Sequence, residues 1–170
     1  SESDTRMKYA VSYLVNEDLT LYATQAAGYR PGGNQAPLPP FCSSDEAAQA
    51  NFSRRFNSDE AETTEFGVKA RGENYTANVT YFDVDWDGII IQVTPGCGWR
   101  YNFNGGKAET SGWEVDFTYA INDSVSLDFA GSSMTAETSI DIDSLGASAG
   151  DRLPNTVETQ WNLGLVYDTT

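Results

Sequence analysis

Trp113-Glu114-Val115-Asp116-Phe117-Thr118-Tyr119 decides the fold class. Trp113, Val115, Phe117 and Tyr119 share one parity, and Glu114, Asp116 and Thr118 share the other. Successive side chains of a β-strand point to opposite faces, so this run predicts a strand with one apolar and one charged face. The runs that follow repeat the pattern. Val125, Leu127 and Phe129 alternate with Ser124, Ser126 and Asp128. Val157, Trp161, Leu163, Leu165 and Tyr167 alternate with Glu158, Gln160, Asn162 and Asp168, broken mainly by Val166.

Weaker versions lie upstream. Met7, Tyr9, Val11, Tyr13 and Val15 share a parity, Leu19, Leu21 and Ala23 open a second strand, and Phe66, Val68 and Ala70 oppose Glu65, Lys69 and Arg71 in a third. Tyr75, Ala77, Val79 and Tyr81 start a fourth, whose parity changes at Phe82, Val84 and Trp86. A β-bulge explains such a switch, and so does a strand end leaving its environment. The expected strands span roughly 5–15, 19–30, 62–72, 75–92, 107–121, 124–138 and 156–168, about seven in all. The only helix-like stretch runs from Asp45 to Ala50, inside a connection.

Composition narrows the class. The chain has 170 residues, 39% hydrophobic and 21% charged, which is enough to bury a core and unlike a disordered tail. Twenty-five acids against ten bases give a net charge of −15, which disfavours nucleic acid as a partner. The absence of histidine removes the usual general base and every Ser/His or Cys/His nucleophile pair. The opening Ser-Glu-Ser-Asp-Thr-Arg has neither a basic n-region nor an apolar h-region, so no signal peptide is expected in it. No run of about 18 apolar residues predicts a transmembrane helix. Membrane β-strands carry a weaker, alternating signal that this test does not see.

The connections are as informative as the strands. Asn16-Glu17-Asp18, Gly72-Glu73-Asn74 and Asn122-Asp123 are tight turns; about 31–61, 93–106 and 139–155 are long. Short and long alternate, so in an antiparallel meander every turn falls at one end and every long loop at the other. Outer-membrane barrels have this asymmetry, with short periplasmic turns and long extracellular loops. Cys42 and Cys97, the two cysteines, fall in the first and second long loops, at the same end. Loop cysteines so placed suit a disulfide in an oxidising compartment; two unrelated free thiols are the alternative.

Tyr13, Tyr75, Tyr119 and Tyr167 sit beside the short turns on the apolar parity, as in an interfacial girdle; Tyr22 is near that level on the other parity. Packing against a second sheet of a soluble sandwich is the competing account. The opposite face carries Glu65, Lys69, Arg71, Glu114, Asp116, Asp128, Glu158 and Gln160, too much charge to bury dry. If the apolar face meets lipid, this face lines a wet or plugged lumen.

Several motifs then resemble one family. Leu21-Tyr22-Ala23-Thr24-Gln25-Ala26-Ala27-Gly28-Tyr29-Arg30-Pro31-Gly32-Gly33-Asn34 is similar to a strand of TonB-dependent outer-membrane receptors that runs into an extracellular loop. Glu62-Thr63-Thr64-Glu65-Phe66-Gly67-Val68-Lys69 resembles the next strand opening, followed by Tyr81-Phe82-Asp83-Val84-Asp85-Trp86-Asp87, Asn104 to Trp113, and Gly150 to Pro154. The matches come in the family's order and cover nearly the whole chain. The resemblance implies an all-β, antiparallel, up-and-down transmembrane β-barrel of about 22 strands around a plug. Residues 1–170 would form a partial β-barrel domain, with the plug and remaining strands outside this chain. It further implies the outer membrane of a Gram-negative bacterium, lipid around the wall, a TonB partner acting through the plug, and uptake of a small-molecule nutrient such as a ferric siderophore, a cobalamin-like compound or a glycan. No enzyme activity, cofactor or metal is expected.

Within that frame the ligand-facing candidates are loop residues: Arg30, Arg54, Arg55, Trp99, Arg100, Tyr101 and Phe103. Loop-to-loop packing is the alternative for the aromatic ones. Asp83-Val84-Asp85-Trp86-Asp87-Gly88 mimics the start of an EF-hand, but position twelve is Thr94 and the context is strand. Glu114/Asp116 reads as a wet strand face before it reads as a glycosidase pair. Four glycosylation sequons, at Asn51, Asn74, Asn78 and Asn122, carry no weight in a bacterial protein. Two other classes stay open at this point: a self-contained eight-stranded barrel with an adhesive or structural role, and a soluble ligand-binding barrel or sandwich.

Overall fold

A computed structural model describes residues 6–168. Among the described residues the strands are β1 (Lys8–Asn16), β2 (Leu19–Arg30), β3 (Gly33–Asn34), β4 (Arg55–Phe56), β5 (Asp59–Arg71), β6 (Tyr75–Val93), β7 (Tyr101–Asn122), β8 (Val125–Thr138) and β9 (Thr159–Tyr167), with one α-helix, α1 (Glu46–Asn51). Seven of them form one antiparallel meander in the order β1-β2-β5-β6-β7-β8-β9, while β3 and β4 pair in the first long loop. The sheet is not closed: among the described residues, β1 and β9 each have a neighbour on one side only. The expected start of the first strand, at Thr5, lies outside the described residues.

Register shows what the alternation is for. Val11, Ala23, Phe66, Tyr81 and Trp113 lie side by side across five strands, and Leu21, Val68, Val79 and Val115 form the row below. These rows make a broad apolar face, and among the described residues no second layer covers it. Trp161 is 71% exposed, and Tyr13, Phe66, Trp113, Leu163 and Tyr167 are exposed with it. So large an apolar patch suits lipid and not water. A soluble sandwich would have buried it, and that account falls here.

The apolar band also crosses the rows on a diagonal. In β1 it reaches up to Tyr9, whose row then runs through Gln25, Thr64, Asp83 and Ser111. In β8 and β9 it has moved down to Leu127, Leu165 and Tyr167, while the row of Trp113 continues as Ser133 and Thr159. A level band crossing tilted strands gives this pattern, as it does in membrane barrels. Tyr75 and Tyr119 are directly opposed at the short-turn side of the band, and Phe66, Tyr81 and Trp113 mark its far side, with the Tyr81 and Trp113 rings 5.0 Å apart. Beyond that side Glu62, Asp85, Glu109 and Glu137 stand in one row, so that part of the outer face is in water.

The parity change at Phe82 has a simple cause. Pairing of β6 with β7 is unbroken from Tyr75 to Asp87, so there is no bulge at Phe82. The outward positions merely pass from Tyr81 to Asp83 as the strand leaves the lipid. The bulges come later, where pairing shifts between Asp87 and Ile89 and again between Ile89 and Ile90. Gly88 takes φ +63° at the first, a conformation that glycine adopts without a Cβ penalty. Beyond them β7 already pairs from Tyr101 instead of starting near 107, because Asn102, Asn104, Gly105 and Gly106 hide the strand from a hydrophobic pattern.

Tyr22, off parity in the sequence, sits on the polar face. Its ring lies across Gly67, its hydroxyl shares a 2.7 Å hydrogen bond with Thr80, and the Lys69 ammonium stands 5.1 Å from the ring centroid. A Cβ at position 67 would overlap the ring. Gly67→Ala is therefore expected to lower folding stability by roughly 1–3 kcal/mol. Urea titration of folding into lipid vesicles checks this, and adding Tyr22→Ala should relieve the clash.

Candidate ligand-binding site

The largest buried cluster among the described residues lies where the loops meet the upper end of β7. Cys42, Ala48, Tyr101 and Phe103 are buried together, with Leu38, Phe52, Ile91, Val93, Cys97 and Trp99 packed around them. The first long loop (31–58) thus folds onto the top of the β6–β7 hairpin and the second loop (94–100). The two bulges make this seat. A Cβ at Gly106 would touch Ile89, Ile91 and Ile142, so β6, β7 and the third loop (139–158) meet on one face there. Ile142 is buried in that contact.

Four devices hold the first loop to the second loop and to the start of β7. Cys42 and Cys97 form a disulfide with Cα atoms 5.3 Å apart, as their shared end of the sheet allows. Asp45 caps α1 by accepting from the Ala48 amide at 3.0 Å, and its second oxygen accepts from the Cys97 amide at 2.7 Å. The Gln35 side chain grips the Asn102 peptide from both sides, donating to its carbonyl at 2.8 Å and accepting from its amide at 2.8 Å. The Asn104 side chain treats Asn57 the same way, at 3.0 and 2.7 Å, and also donates to the Gly88 carbonyl at 2.7 Å. Such paired bonds stand in for a sheet ladder at a level where β7 has no β8 partner.

The candidate residues separate into three groups. Tyr101 (3% exposed) and Phe103 are inside the loop core, which is the packing alternative for these rings. The Tyr101 hydroxyl donates to the Ala47 carbonyl at 3.2 Å, and its ring meets Phe52 edge-on at 5.4 Å. Burial, and then the Asp45 charge, raise its pKa above the ordinary tyrosine value. Trp99 is half-buried against the same core. Arg54, Arg55 and Arg100 are exposed on the cap, with Arg54 and Asn102 brought to the two sides of Gln35. Arg30 belongs to neither group. It ends β2 and binds Asp59, so its charge is already answered.

Asp59 is the residue that sequence reading missed. It is 2% exposed and lies beyond the lipid-facing band, at the loop end of β5. Burial works to raise its pKa, but the Arg30 guanidinium and the Ile90 and Arg30 amides outweigh burial and leave it below the ordinary value. No local signal marks this pair, since its members are far apart in sequence. Asp45, by contrast, has a signal, as a capping residue type that opens the helix-like stretch. Among the described residues, no group of three or more His, Cys, Asp or Glu side chains is placed to hold a metal ion. Asp83, Asp85 and Asp87 lie along an unbroken strand instead of curling round a cation.

Comparison with known proteins agrees with this architecture. Residues 5–170 match the family described as TonB dependent receptor-like, beta-barrel. The ferric yersiniabactin uptake receptor FyuA from Yersinia pestis superposes with a TM-score of 0.72 at 18% identity, over 93% of this chain and 22% of that one. The siderophore receptor PiuA from Acinetobacter baumannii gives 0.68 at 16% identity, over 95% and 23%. The ferric-catecholate import receptor Fiu from E. coli K12 gives 0.65 at 22% identity, over 97% and 22%. The chain therefore spans less than a quarter of the length of these receptors. With its lipid-facing band, its tilted open meander and this match over nearly its whole length, the chain belongs to the TonB-dependent receptor family, as barrel wall in the outer membrane of a Gram-negative bacterium.

Proposed function

We propose that this chain supplies wall, lumen surface and three extracellular loops to a receptor that imports a scarce nutrient, a ferric chelate carrying negative charge. The observation that carries the reading is the stapled cap at the loop end of a lipid-facing wall, with Arg54, Arg55 and Arg100 exposed on it in a chain of net charge −15. Guanidinium groups in a field otherwise so acidic favour an anion at that place. The names of FyuA, PiuA and Fiu, two of them for ferric chelates and one for a siderophore, support this class of cargo. The polar face would meet a plug, and a TonB partner acting through that plug would supply energy. No bond needs to be made or broken in the cargo, so the reading is of a transporter and not an enzyme. A closed eight-stranded barrel is not favoured, because β1 and β9 lie at opposite ends of an open sheet.

The full-length receptor tests the proposal. Cells lacking it should fail to accumulate a ⁵⁵Fe-loaded siderophore under iron limitation, within a panel of catecholate, hydroxamate and phenolate chelates. Replacing Arg54, Arg55 and Arg100 together by alanine should weaken binding of the accepted chelate at least tenfold, since one charged hydrogen bond is worth about 1.5–3 kcal/mol. It should also flatten the salt dependence of binding. Uptake of every chelate at the parental rate without the receptor would overturn the reading.

A further inference from the structure

We infer that Asp59 and Arg30 act as a positioning pair that stands in for a missing strand, fixing where the membrane wall ends and the ligand-facing cap begins. The pairing of β5 with β6 stops at Glu60 and Asp87, yet β6 continues to Val93. Above that point the β5 side of β6 has lost its ladder partner. Unpaired backbone groups at a sheet edge need partners or water. At Ile90 the partners are side chains. Asp59 Oδ2 accepts from the Ile90 amide at 3.2 Å, and Arg30 Nη2 reaches the Ile90 carbonyl at 3.5 Å.

The pair is itself tightly held. Arg30 donates to Asp59 from its amide at 3.2 Å, from Nε to both carboxylate oxygens at 3.1 and 2.9 Å, and from Nη2. Its guanidinium lies over Trp86 at 4.9 Å, so one node joins the end of β2, the start of β5 and the part of β6 around the Gly88 bulge. The position within β6 gives the node its leverage. Ile90 lies between Ile89 and Ile91, which contact Gly106, where Ile142 of the third loop is seated; Ile91 also packs into the disulfide-linked core of the first two loops. Fixing the Ile90 peptide fixes which way its neighbours face. The side chains above the bulges then build a cap instead of continuing the wall's alternation.

Arg30 is thus a positioning residue. Its importance to uptake rests on the receptor reading above, but the latch does not, and the test separates the two. Amide hydrogen exchange would be followed by mass spectrometry on the full-length protein in outer-membrane vesicles, with no ligand added. Asp59→Ala and Arg30→Ala should each speed exchange at 88–93 and across 31–58 at least tenfold, and leave 64–82 unchanged. Arg30→Lys keeps the charge but not the fork, and should fail to restore protection. Asp59→Asn keeps an acceptor for Ile90 and serves if Asp59→Ala does not assemble; a smaller acceleration at the same residues is expected. Unchanged exchange in both alanine variants would overturn the inference. So would acceleration spread evenly through the wall, which would mean general loss of stability, or full protection in Arg30→Lys, which would mean that charge alone suffices. If chelate uptake never depends on this receptor, the proposed function fails while the exchange result still decides the latch.

Discussion

Phe129→Arg is expected to prevent this receptor from assembling, whereas Ala130→Arg, one residue further on, is tolerated. Phe129 lies on the lipid-facing parity in the middle of the apolar run of β8, opposite Phe117 and Leu163. An arginine there must desolvate in hydrocarbon, at a cost of about 2–4 kcal/mol near the bilayer midplane. Loss of the ring adds to this, because the Phe129 ring lies against Gly131. Ala130 faces the other way, between Asp116 and Asn162 in register, where a guanidinium finds water and a carboxylate. The check is the folded band on an unheated gel, in which an intact barrel resists the detergent, together with the amount of full-length protein in the outer membrane. Equal assembly of both variants would show that the apolar face does not meet lipid.

Removing the Cys42–Cys97 bond is expected to have the second large effect, confined to the cap. The two cysteines are 55 residues apart, and closing a loop of that size removes entropy worth about 4 kcal/mol from the open chain in the simplest treatment. The loop includes β5 and all of β6, which the wall orders independently of the bond. The loss therefore falls on the opening of 31–58 away from the β6–β7 hairpin. Cys42→Ser/Cys97→Ser should assemble normally but become cleavable in its first long loop by protease added to intact cells. Asp45→Ala should act in the same direction and more weakly, since it removes the bond to the Cys97 amide and the helix cap while leaving the staple. Cleavage at the parental rate in the double serine variant would mean that the Gln35 and Asn104 clasps hold the cap unaided.

Most of the wall was legible in the sequence. The runs from Trp113 to Tyr119 and from Trp161 to Tyr167 needed no partner to be read, because a two-residue period is a local property of a strand with two different surroundings. Turn lengths gave the ends of the meander, and with them the shared end of the two cysteines. The limits lay where the surroundings changed. Phe82, Val84 and Trp86 broke the apolar parity because β6 had left the lipid, not because its backbone had bulged.

What the sequence determined by itself was thus the wall: its strands, its lipid side, its long-loop end and the family it belongs to. Tertiary structure alone decided the cap. For Tyr101 and Phe103 the sequence left ligand contact and loop packing both open; they are buried, because the shifts at Gly88 and Gly105 depend on how β6 pairs with β7. Arg30 was legible as a loop-end cation, but its pairing with Asp59 was not, since that bond exists only once β2 and β5 lie in register. Alternation is set residue by residue, but bulges, clasps and buried ion pairs are set by which distant segment arrives alongside. No window of sequence contains that information.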